Sequence, residues 1–272
     1  MRFPSSFGAT ALAIALPALA AEQAPAPSAT PTPPTRAVEA RADQEMKKMG
    51  EFLAKVPRFA LEAEETFDEM PDGQPRMELT NLRRIAVERP NHMAADATGD
   101  TLNRASWYDG KTVTVLDKEQ NVYASIEGLP TIDATLDKLE DDYDVVLPLG
   151  DVLSGDPYAD LMEGVTYGRY LGIHQAAGVA CHHLVFSQDT IDWQIWIDAG
   201  DQPLPRKLVI AYVQEAGEPK YSATIRRWNL DPTFPEGLFT FEAPEGAQKV
   251  EAKKRPEKGD KPPTGPDPKG GQ

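Results

Sequence analysis

The residues of this chain best suited to chemistry are Cys181, His182 and His183, which follow one another directly. They include the only cysteine and two of the four histidines. Thiolate sulfur and imidazole nitrogen are ligands that zinc prefers in proteins, and a cysteine beside a histidine is also a common nucleophilic pair. The run therefore raises two hypotheses, a metal site and a covalent catalytic site.

The strand pattern around this run separates its members. Successive side chains of a β-strand point to opposite faces, so Cys181 and His183 share one face and His182 lies on the other. Zinc needs further ligands, and the nearest by sequence are His174 and Asp192. A catalytic pair needs an orienting third group, which no motif here supplies. We therefore expect no cofactor and no catalytic residue, and Cys181 and His183 stay as weak metal candidates.

A second pattern in the same block concerns apolar residues. Between positions 191 and 197 every odd residue is large and apolar, an alternation typical of a half-buried strand, although Trp196 departs from it. The return strand at 206–213 is also rich in β-formers. Six residues of the two strands form a candidate ligand-binding wall: Trp193, Ile195, Ile197, Leu208, Ile210 and Tyr212. A filled core and a cavity wall both have apolar linings, so both interpretations stay open.

Other signatures of catalysis are absent from the sequence. It contains no Gly-x-Ser-x-Gly, no His-Glu-x-x-His and no glycine-rich phosphate loop. The carboxylate run at 140–144 lacks the glycine and the spaced oxygen ligands of a calcium loop, so it is interpreted as a solvated helix end. We expect a protein that is not an enzyme.

The elements that would position these residues follow from periodicity. Apolar residues at spacings of three and four predict an amphipathic helix at 37–56, which Pro57 ends. A second helix is predicted between Pro130 and Asp144 with Thr131 as N-cap, followed by one or two short helices at 147–165. Strands are predicted at 59–67, 77–88, 93–103, 105–108, 111–116, 121–126, 191–197, 206–213 and 221–228, with strands dominating to about residue 241. The turn at Asp109-Gly110 predicts a tight hairpin.

The ends of the chain predict its compartment. Residues 1–21 have a basic start, an apolar run and a small-residue cleavage site, which indicates a secretory signal peptide; an N-terminal anchor is the alternative. Residues 22–36 are a predicted disordered linker, 251–272 a predicted disordered tail, and 37–250 one domain. No later run predicts a transmembrane segment. The net charge of -15 argues against nucleic acid as a partner.

Six short segments together resemble a known family. They are WYDGKT at 107–112, NVY at 121–123, DPY at 156–158, CHHL at 181–184, DWQIWI at 192–197 and LPRK at 204–207. Over about residues 37–250 the chain resembles the predicted periplasmic proteins grouped as domain of unknown function 2092. That family is similar in fold to the LolA/LolB lipoprotein carriers and the sensor RseB. The resemblance implies an α+β fold in which a strongly curved antiparallel sheet, a half-open β-barrel, wraps apolar helices.

The resemblance also implies a function class. It supplies no catalytic residues, and it predicts a periplasmic, non-enzymatic protein that holds a lipid, an acyl chain or another apolar ligand. An apolar small molecule or a lipoprotein would then be the partner. The alternative is a protein-interaction or envelope-sensor module similar to RseB, with a protein partner. The weaker alternative is a metal-binding protein that uses Cys181 and His183.

Overall fold

The computed structural model describes residues 37–70, 75–143, 145, 147 and 149–254. The chain divides into two units, residues 1–35 and 36–272, and the described residues belong to the second. The predicted signal peptide at 1–21, the predicted linker up to residue 36 and the tail from residue 255 lie outside the described residues. No helix of the described part is long and apolar enough to cross a membrane.

The described part is an α+β fold with four helices and one twelve-stranded sheet. The helices are α1 Ala40–Ala54, α2 Ile132–Tyr143, α3 Gly150–Leu153 and α4 Pro157–Met162. The strands are β1 Arg58–Glu69, β2 Met77–Glu88, β3 His92–Gly99, β4 Asn103–Tyr108, β5 Thr112–Asp117, β6 Val122–Glu127, β7 Tyr167–Ala176, β8 Val179–Ser187, β9 Ile191–Asp198, β10 Pro205–Tyr212, β11 Lys220–Asn229 and β12 Gln248–Lys249.

The sheet is open, with β12 and β7 at its two ends. Its strand order is β12-β6-β5-β4-β3-β2-β1-β11-β10-β9-β8-β7. The pairing of β1 with β11 therefore joins strands β1–β6 to strands β7–β11. Register shifts in the β1–β11, β9–β10 and β7–β8 pairs mark irregularities that bend strands. The α+β class and the curved sheet are therefore confirmed.

The sheet is mixed, so the prediction of a wholly antiparallel sheet is wrong at one end. The other neighbouring pairs are antiparallel, but Gln248 and Lys249 of β12 pair in parallel with Val122 and Tyr123 of β6. A parallel pair needs a long crossover, and here residues 128–247 lie between β6 and β12. The predicted run of strands also ends early, at Asn229, where a proline-containing segment follows.

The first helix forms as its apolar spacing predicts. Ala42, Met46, Met49 and Leu53 of α1 are fully buried. The helix begins at Ala40 rather than at residue 37. The preceding residues are extended because they bridge to β7, where the Glu39 amide donates to the carbonyl of Gly168 at 2.9 Å.

Two predicted local signals are confirmed, the Thr131 cap and the Asp109-Gly110 turn, and a further cap is found at Asp156. The Thr131 hydroxyl accepts a hydrogen bond from the Ala134 amide at 3.2 Å, so it caps α2 as predicted. The N-terminus of α4 is capped by Asp156, whose carboxylate accepts a hydrogen bond from the Ala159 amide at 3.1 Å. In the β4–β5 hairpin, Gly110 has a φ of 87°, which an L-residue rarely adopts.

One face of the sheet and the helices share a single hydrophobic core, and we call this face the helix face. Met46 of α1 and Leu153 of α3 belong to the same buried cluster as Phe59, Leu61 and Ile195 of the sheet. We call the opposite face the outer face. There the chain after β11 adds aromatic contacts, with the ring of Phe241 5.1 Å from that of Trp107 and 4.8 Å from that of Tyr123.

Candidate functional site

Strand β8 carries the three residues with metal-ligand chemistry, and its register separates them. Cys181 lies opposite Asp198 of β9, His183 opposite Trp196, and His182 opposite Ile197. Since Ile197 belongs to the core, His182 lies on the helix face, while Cys181 and His183 share the outer face. The predicted separation of the run is confirmed.

His183 is the centre of a hydrogen-bonded cluster on the outer face. Its Nε2 lies 3.0 Å from Oε1 of Gln194, and its Nδ1 lies 2.8 Å from Nδ1 of His174. Because the Gln194 oxygen can only accept, Nε2 donates and Nδ1 accepts from His174. The imidazole also stacks on Trp196, with centroids 3.9 Å apart. Burial lowers the pKa of His183, and the nearby His174 also lowers it. Both ring nitrogens are engaged, so His183 offers no free ligand to a metal.

Cys181 lies beside this cluster as a fully buried thiol. Burial raises the pKa of the thiol, and the carboxylate of Asp198 raises it further. That carboxylate is itself paired with Arg206, at 2.6 Å. A protonated, enclosed thiol is a poor nucleophile and a poor metal ligand.

The further metal ligands suggested by sequence do not complete a site. His174 joins His183, whereas Asp192 is exposed and lies opposite Ser187. Within residues 37–254, as far as they are described, no group of three or more histidine, cysteine or acidic side chains is arranged to hold a metal ion.

His182 faces an ion cluster that the sequence analysis did not find. Its Nδ1 lies 3.1 Å from the hydroxyl of Tyr170, and its Nε2 lies 3.8 Å from the carboxylate of Glu45 on α1. Glu45 is only 3% exposed and also pairs with Arg41 at 2.7 Å and Lys48 at 3.1 Å. The sequence does contain a signal for this cluster, because Glu45 lies between Ala42 and Met46 in the apolar stripe of α1. A carboxylate at such a position is buried and therefore needs charged or hydrogen-bonding partners.

The six predicted wall residues divide into two groups. Trp193, Ile195, Ile197 and Leu208 are buried in the core, and the ring of Trp193 stacks on Phe186 with centroids 4.5 Å apart. Ile210 and Tyr212, at the far end of β10, are half-buried and line an open space. The deep part of these strands is therefore filled core, whereas their end borders a cavity.

This cavity, which we call the α2–β10 cavity, has a volume of about 500 Å³. It lies between α2, the α3–α4 segment and the adjoining ends of β9 and β10. Its apolar lining comes from Leu136, Val145, Leu147, Ile191, Ile210 and Tyr212. A smaller space of about 40 Å³ shares Ile191 and Ile210 with it and reaches Leu161, Trp193 and Leu208. Asp151 and Gln188 also border both spaces.

The rim of the α2–β10 cavity is acidic. α2 contributes Asp133, Asp137 and Glu140, and the α3–α4 segment contributes Asp151, Asp156, Asp160 and Glu163. Loss of solvent raises the pKa of Asp151, and its carboxylate neighbours, Asp160 foremost, raise it further. Loss of solvent also raises the pKa of Asp160, partly offset by the Ser154 side chain. No sequence pattern predicts this rim, because its members come from segments that are separate in the chain.

Further spaces border the sheet. On the outer face a groove of about 570 Å³ has a floor of small side chains on neighbouring strands, Ala60, Ala86, Ala94 and Ala105, beside Trp107. A cavity of about 380 Å³ borders the buried Glu65 and Arg83, together with Tyr212 of the α2–β10 cavity. The outer-face groove lies on the side of the sheet away from the helices.

The class of this molecule is thus an α+β fold with an open, curved sheet and helices packed on one face. A sequence model of the family described as "Predicted periplasmic protein (DUF2092)" matches residues 42–253. The chain belongs to this family, which confirms both the resemblance of its motifs and the predicted periplasmic location.

The chain is also similar to several solved structures. An uncharacterized conserved protein from Thermus thermophilus is 13% identical, with a TM-score of 0.45, covering 76% of this chain and 98% of that one. The Pseudomonas aeruginosa MucA/MucB complex is matched at 15% identity and a TM-score of 0.43 over 75% of this chain. There the match spans 62% of the other chain, less than two thirds of its length.

A LolA superfamily protein from Nitrosomonas europaea is 10% identical, with a TM-score of 0.34, covering 74% of this chain and 97% of that one. The comparison with curated proteins gave no match. Similarities this distant carry no information about ligand or activity.

Proposed function

We propose that this periplasmic protein is a non-enzymatic binding protein that holds the apolar part of a ligand, such as an acyl chain, in the α2–β10 cavity. The observation that carries the proposal is a space of about 500 Å³ bordered by Leu136, Ile191 and Ile210. Ligand sites are typically concave, mainly apolar and of several hundred Å³. In this proposal the curved sheet acts as a half-barrel around the helices, and Ile210 and Tyr212 are the wall residues that contact the ligand.

The surroundings of the cavity support this role. α3 and α4 are short helices of four and six residues, and they form the wall opposite the sheet. Helices of this length are held by packing rather than by their own hydrogen bonds, so they can shift to admit a chain. The reactive-site alternative has less support, because the Cys181 thiol is enclosed and both ring nitrogens of His183 are engaged.

The test is binding of a neutral apolar fluorophore, N-phenyl-1-naphthylamine, to the purified mature protein. Because the dye fluoresces in apolar surroundings, we expect saturable fluorescence and its loss on competition with a long-chain alkyl compound. Native mass spectrometry of the protein as purified is a second measurement, with co-purified lipid as the expected result. Absence of both signals would overturn the proposal.

A pair of variants on one strand locates the binding. Ile210→Glu introduces a charge into the α2–β10 cavity, and we expect it to weaken dye binding at least tenfold, since burying a charge in an apolar site is unfavourable. Val209→Glu makes the same change at the next residue of β10, which pairs with Gln194 and points to the outer face. It should leave binding unchanged. Equal effects of both changes on binding, with folding verified by circular dichroism, would place the dye elsewhere.

A second candidate function, binding of a protein partner, is favoured by the outer-face groove. Its alanine floor leaves a depression of about 570 Å³ in which a partner's apolar side chain would fit. A photo-crosslinking amino acid at Ala86 would then capture the same periplasmic protein repeatedly, whereas one at the exposed Glu119 would not. Identical capture from both positions would count against this function.

A further inference from the structure

The α2–β10 cavity combines an apolar interior with a rim of a single charge sign. Seven carboxylate side chains line it, whereas none of its described lining residues is a lysine, an arginine or a histidine. Acidic residues outnumber basic ones in the whole chain, 43 to 28, but a mouth of one charge sign also attracts cations and repels anions. The sign of the rim therefore carries information about the occupant.

Part of this charge is already used by the fold. The carboxylate of Asp133 accepts from the Gly155 amide at 3.0 and 3.1 Å, and that of Asp156 caps α4. Loss of solvent raises the pKa of Asp160 and the Ser154 side chain lowers it, although the Ser154 hydroxyl donates to the Asp151 carbonyl at 3.0 Å. These three rim carboxylates thus interact with groups of the fold.

The other rim carboxylates belong to Asp137, Glu140, Asp151 and Glu163. Among the described residues, none of these four lies within 4.0 Å of a basic nitrogen. Glu140 of α2 and Glu163 of the α3–α4 segment both repel the Asp151 carboxylate, and this repulsion disfavours its charged form. A cation between the two sides would relieve this repulsion, whereas an anion would add to it.

The interior of the cavity supplies a second, independent requirement. Leu136, Ile191 and Ile210 form an apolar wall of the cavity, and the small adjoining space, which Asp151 also borders, reaches Trp193 and Leu208. A small inorganic cation would leave this apolar surface uncovered, and an uncharged hydrocarbon would leave the rim uncompensated. Only a molecule with both an alkyl part and a positive group matches the two parts of the cavity.

We propose that the ligand class of this cavity is a cationic amphiphile, with its alkyl chain against the apolar wall and its ammonium group among Asp137, Glu140, Asp151 and Glu163. This inference rests on the proposed function, since it names the ligand of the same cavity. The rim excludes fatty acids and other anionic lipids by charge repulsion, so the specificity of the protein lies at the mouth rather than in the interior.

The test compares three probes with twelve-carbon chains, each below its micelle-forming concentration. They are dodecyltrimethylammonium, dodecanoate and dodecyl maltoside, and their binding to the mature protein is measured by isothermal titration calorimetry. We expect the cationic probe to bind at least about tenfold more tightly than the other two at low ionic strength. Added salt should reduce this advantage, because exposed charges are screened.

A matched pair of double variants locates the positive group. Asp137→Asn with Glu140→Gln removes two charges from the rim, whereas Asp141→Asn with Glu119→Gln removes two exposed charges that do not line the cavity. The first variant should lower affinity for the cationic probe about tenfold and leave that for dodecyl maltoside unchanged. The second should leave both affinities unchanged.

The outcomes separate this inference from the proposed function. If none of the three probes binds, the proposed function fails and the inference fails with it. If all three bind equally, or if dodecanoate binds best, the protein is an apolar carrier and the inference alone is overturned. The inference is also overturned if the two double variants weaken the cationic probe equally, since the rim then has no special part in recognition.

Discussion

Glu62 and Glu65 of β1 each pair with an arginine of β2, and burial distinguishes the two pairs. The Glu65 carboxylate accepts a hydrogen bond from Nε of Arg83 at 2.8 Å. The Glu65 side chain is 3% exposed and that of Arg83 is 14% exposed. The Tyr221 hydroxyl donates to the same carboxylate at 2.8 Å. Burial raises the pKa of Tyr221 well above its ordinary value, and Glu65 raises it further. The Glu62–Arg84 pair lies in solvent on the outer face, at 3.0 Å.

The variants Glu65→Gln and Glu62→Gln test this difference. Glu65→Gln leaves the Arg83 guanidinium without a counterion in a largely buried site, so we expect the free energy of unfolding to fall by about 3 kcal/mol. Glu62→Gln should lower it by less than about 1 kcal/mol, because an exposed pair contributes little. Urea unfolding followed by circular dichroism measures both. Similar losses in the two variants would show that burial does not decide the strength of these pairs.

At the scale of elements, α1 and α4 approach each other closely through a glycine. A Cβ atom added at Gly50 of α1 would lie 2.5 Å from Cβ and 2.7 Å from the amide nitrogen of Tyr158. The Tyr158 hydroxyl also donates to Asp43 of α1 at 2.7 Å. The position of α4, which forms one wall of the α2–β10 cavity, thus depends on the absence of a side chain at residue 50.

The substitution Gly50→Ala measures this close approach. Alanine favours a helix by about 1 kcal/mol over glycine, but here it meets backbone that cannot give way. We therefore expect a net loss of about 1–3 kcal/mol in the free energy of unfolding, measured by urea denaturation. Gly150→Ala is the control, because its added Cβ would meet only Leu136 Cδ1 at 3.5 Å and Leu147 Cβ at 3.9 Å, both ordinary contacts. An increase in stability for Gly50→Ala would show that α4 moves freely away from α1.

At the scale of the whole molecule, charge is a constraint on stability. The net charge is -15, and the rim of the α2–β10 cavity concentrates carboxylates where solvent is reduced. The raised pKa of Asp151 means that folding favours its protonated form. The contribution of Asp151 to the free energy of unfolding is fully present below the pKa of about 3.9 that it has in the unfolded chain. This contribution is lost as pH rises through the higher pKa that Asp151 has in the folded protein.

Asp151→Asn should therefore stabilise the protein at neutral pH. Asparagine resembles the protonated acid, and because the side chain reaches solvent the gain should stay below about 1 kcal/mol, or about 2–4 °C in melting temperature. The difference from the natural sequence should vanish below about pH 4, where Asp151 is itself protonated. Melting curves across this pH range provide the measurement. A gain that persists at acidic pH would assign it to packing instead of charge.

Local periodicity was sufficient for most elements of the fold. Alternating apolar residues predict β9, three- and four-residue spacing predicts α1, and a single threonine predicts the start of α2, because each depends on neighbours in sequence. The same alternation places Cys181 and His183 on one face. The parallel strand β12 was not predicted, since two residues carry no pattern and their pairing with β6 depends on a long crossover.

The division between core and cavity was decided only by tertiary structure. Ile195 and Ile210 occupy equivalent positions in the alternation of β9 and β10, yet one is fully buried and the other borders open space. The acidic rim likewise forms only when α2 meets the α3–α4 segment. Periodicity tells which face of a strand is apolar, but what covers that face depends on residues distant in the chain. The amino-acid sequence by itself therefore determined most of the elements, their faces and the family, and tertiary packing decided where the interior stays open and which charges surround the opening.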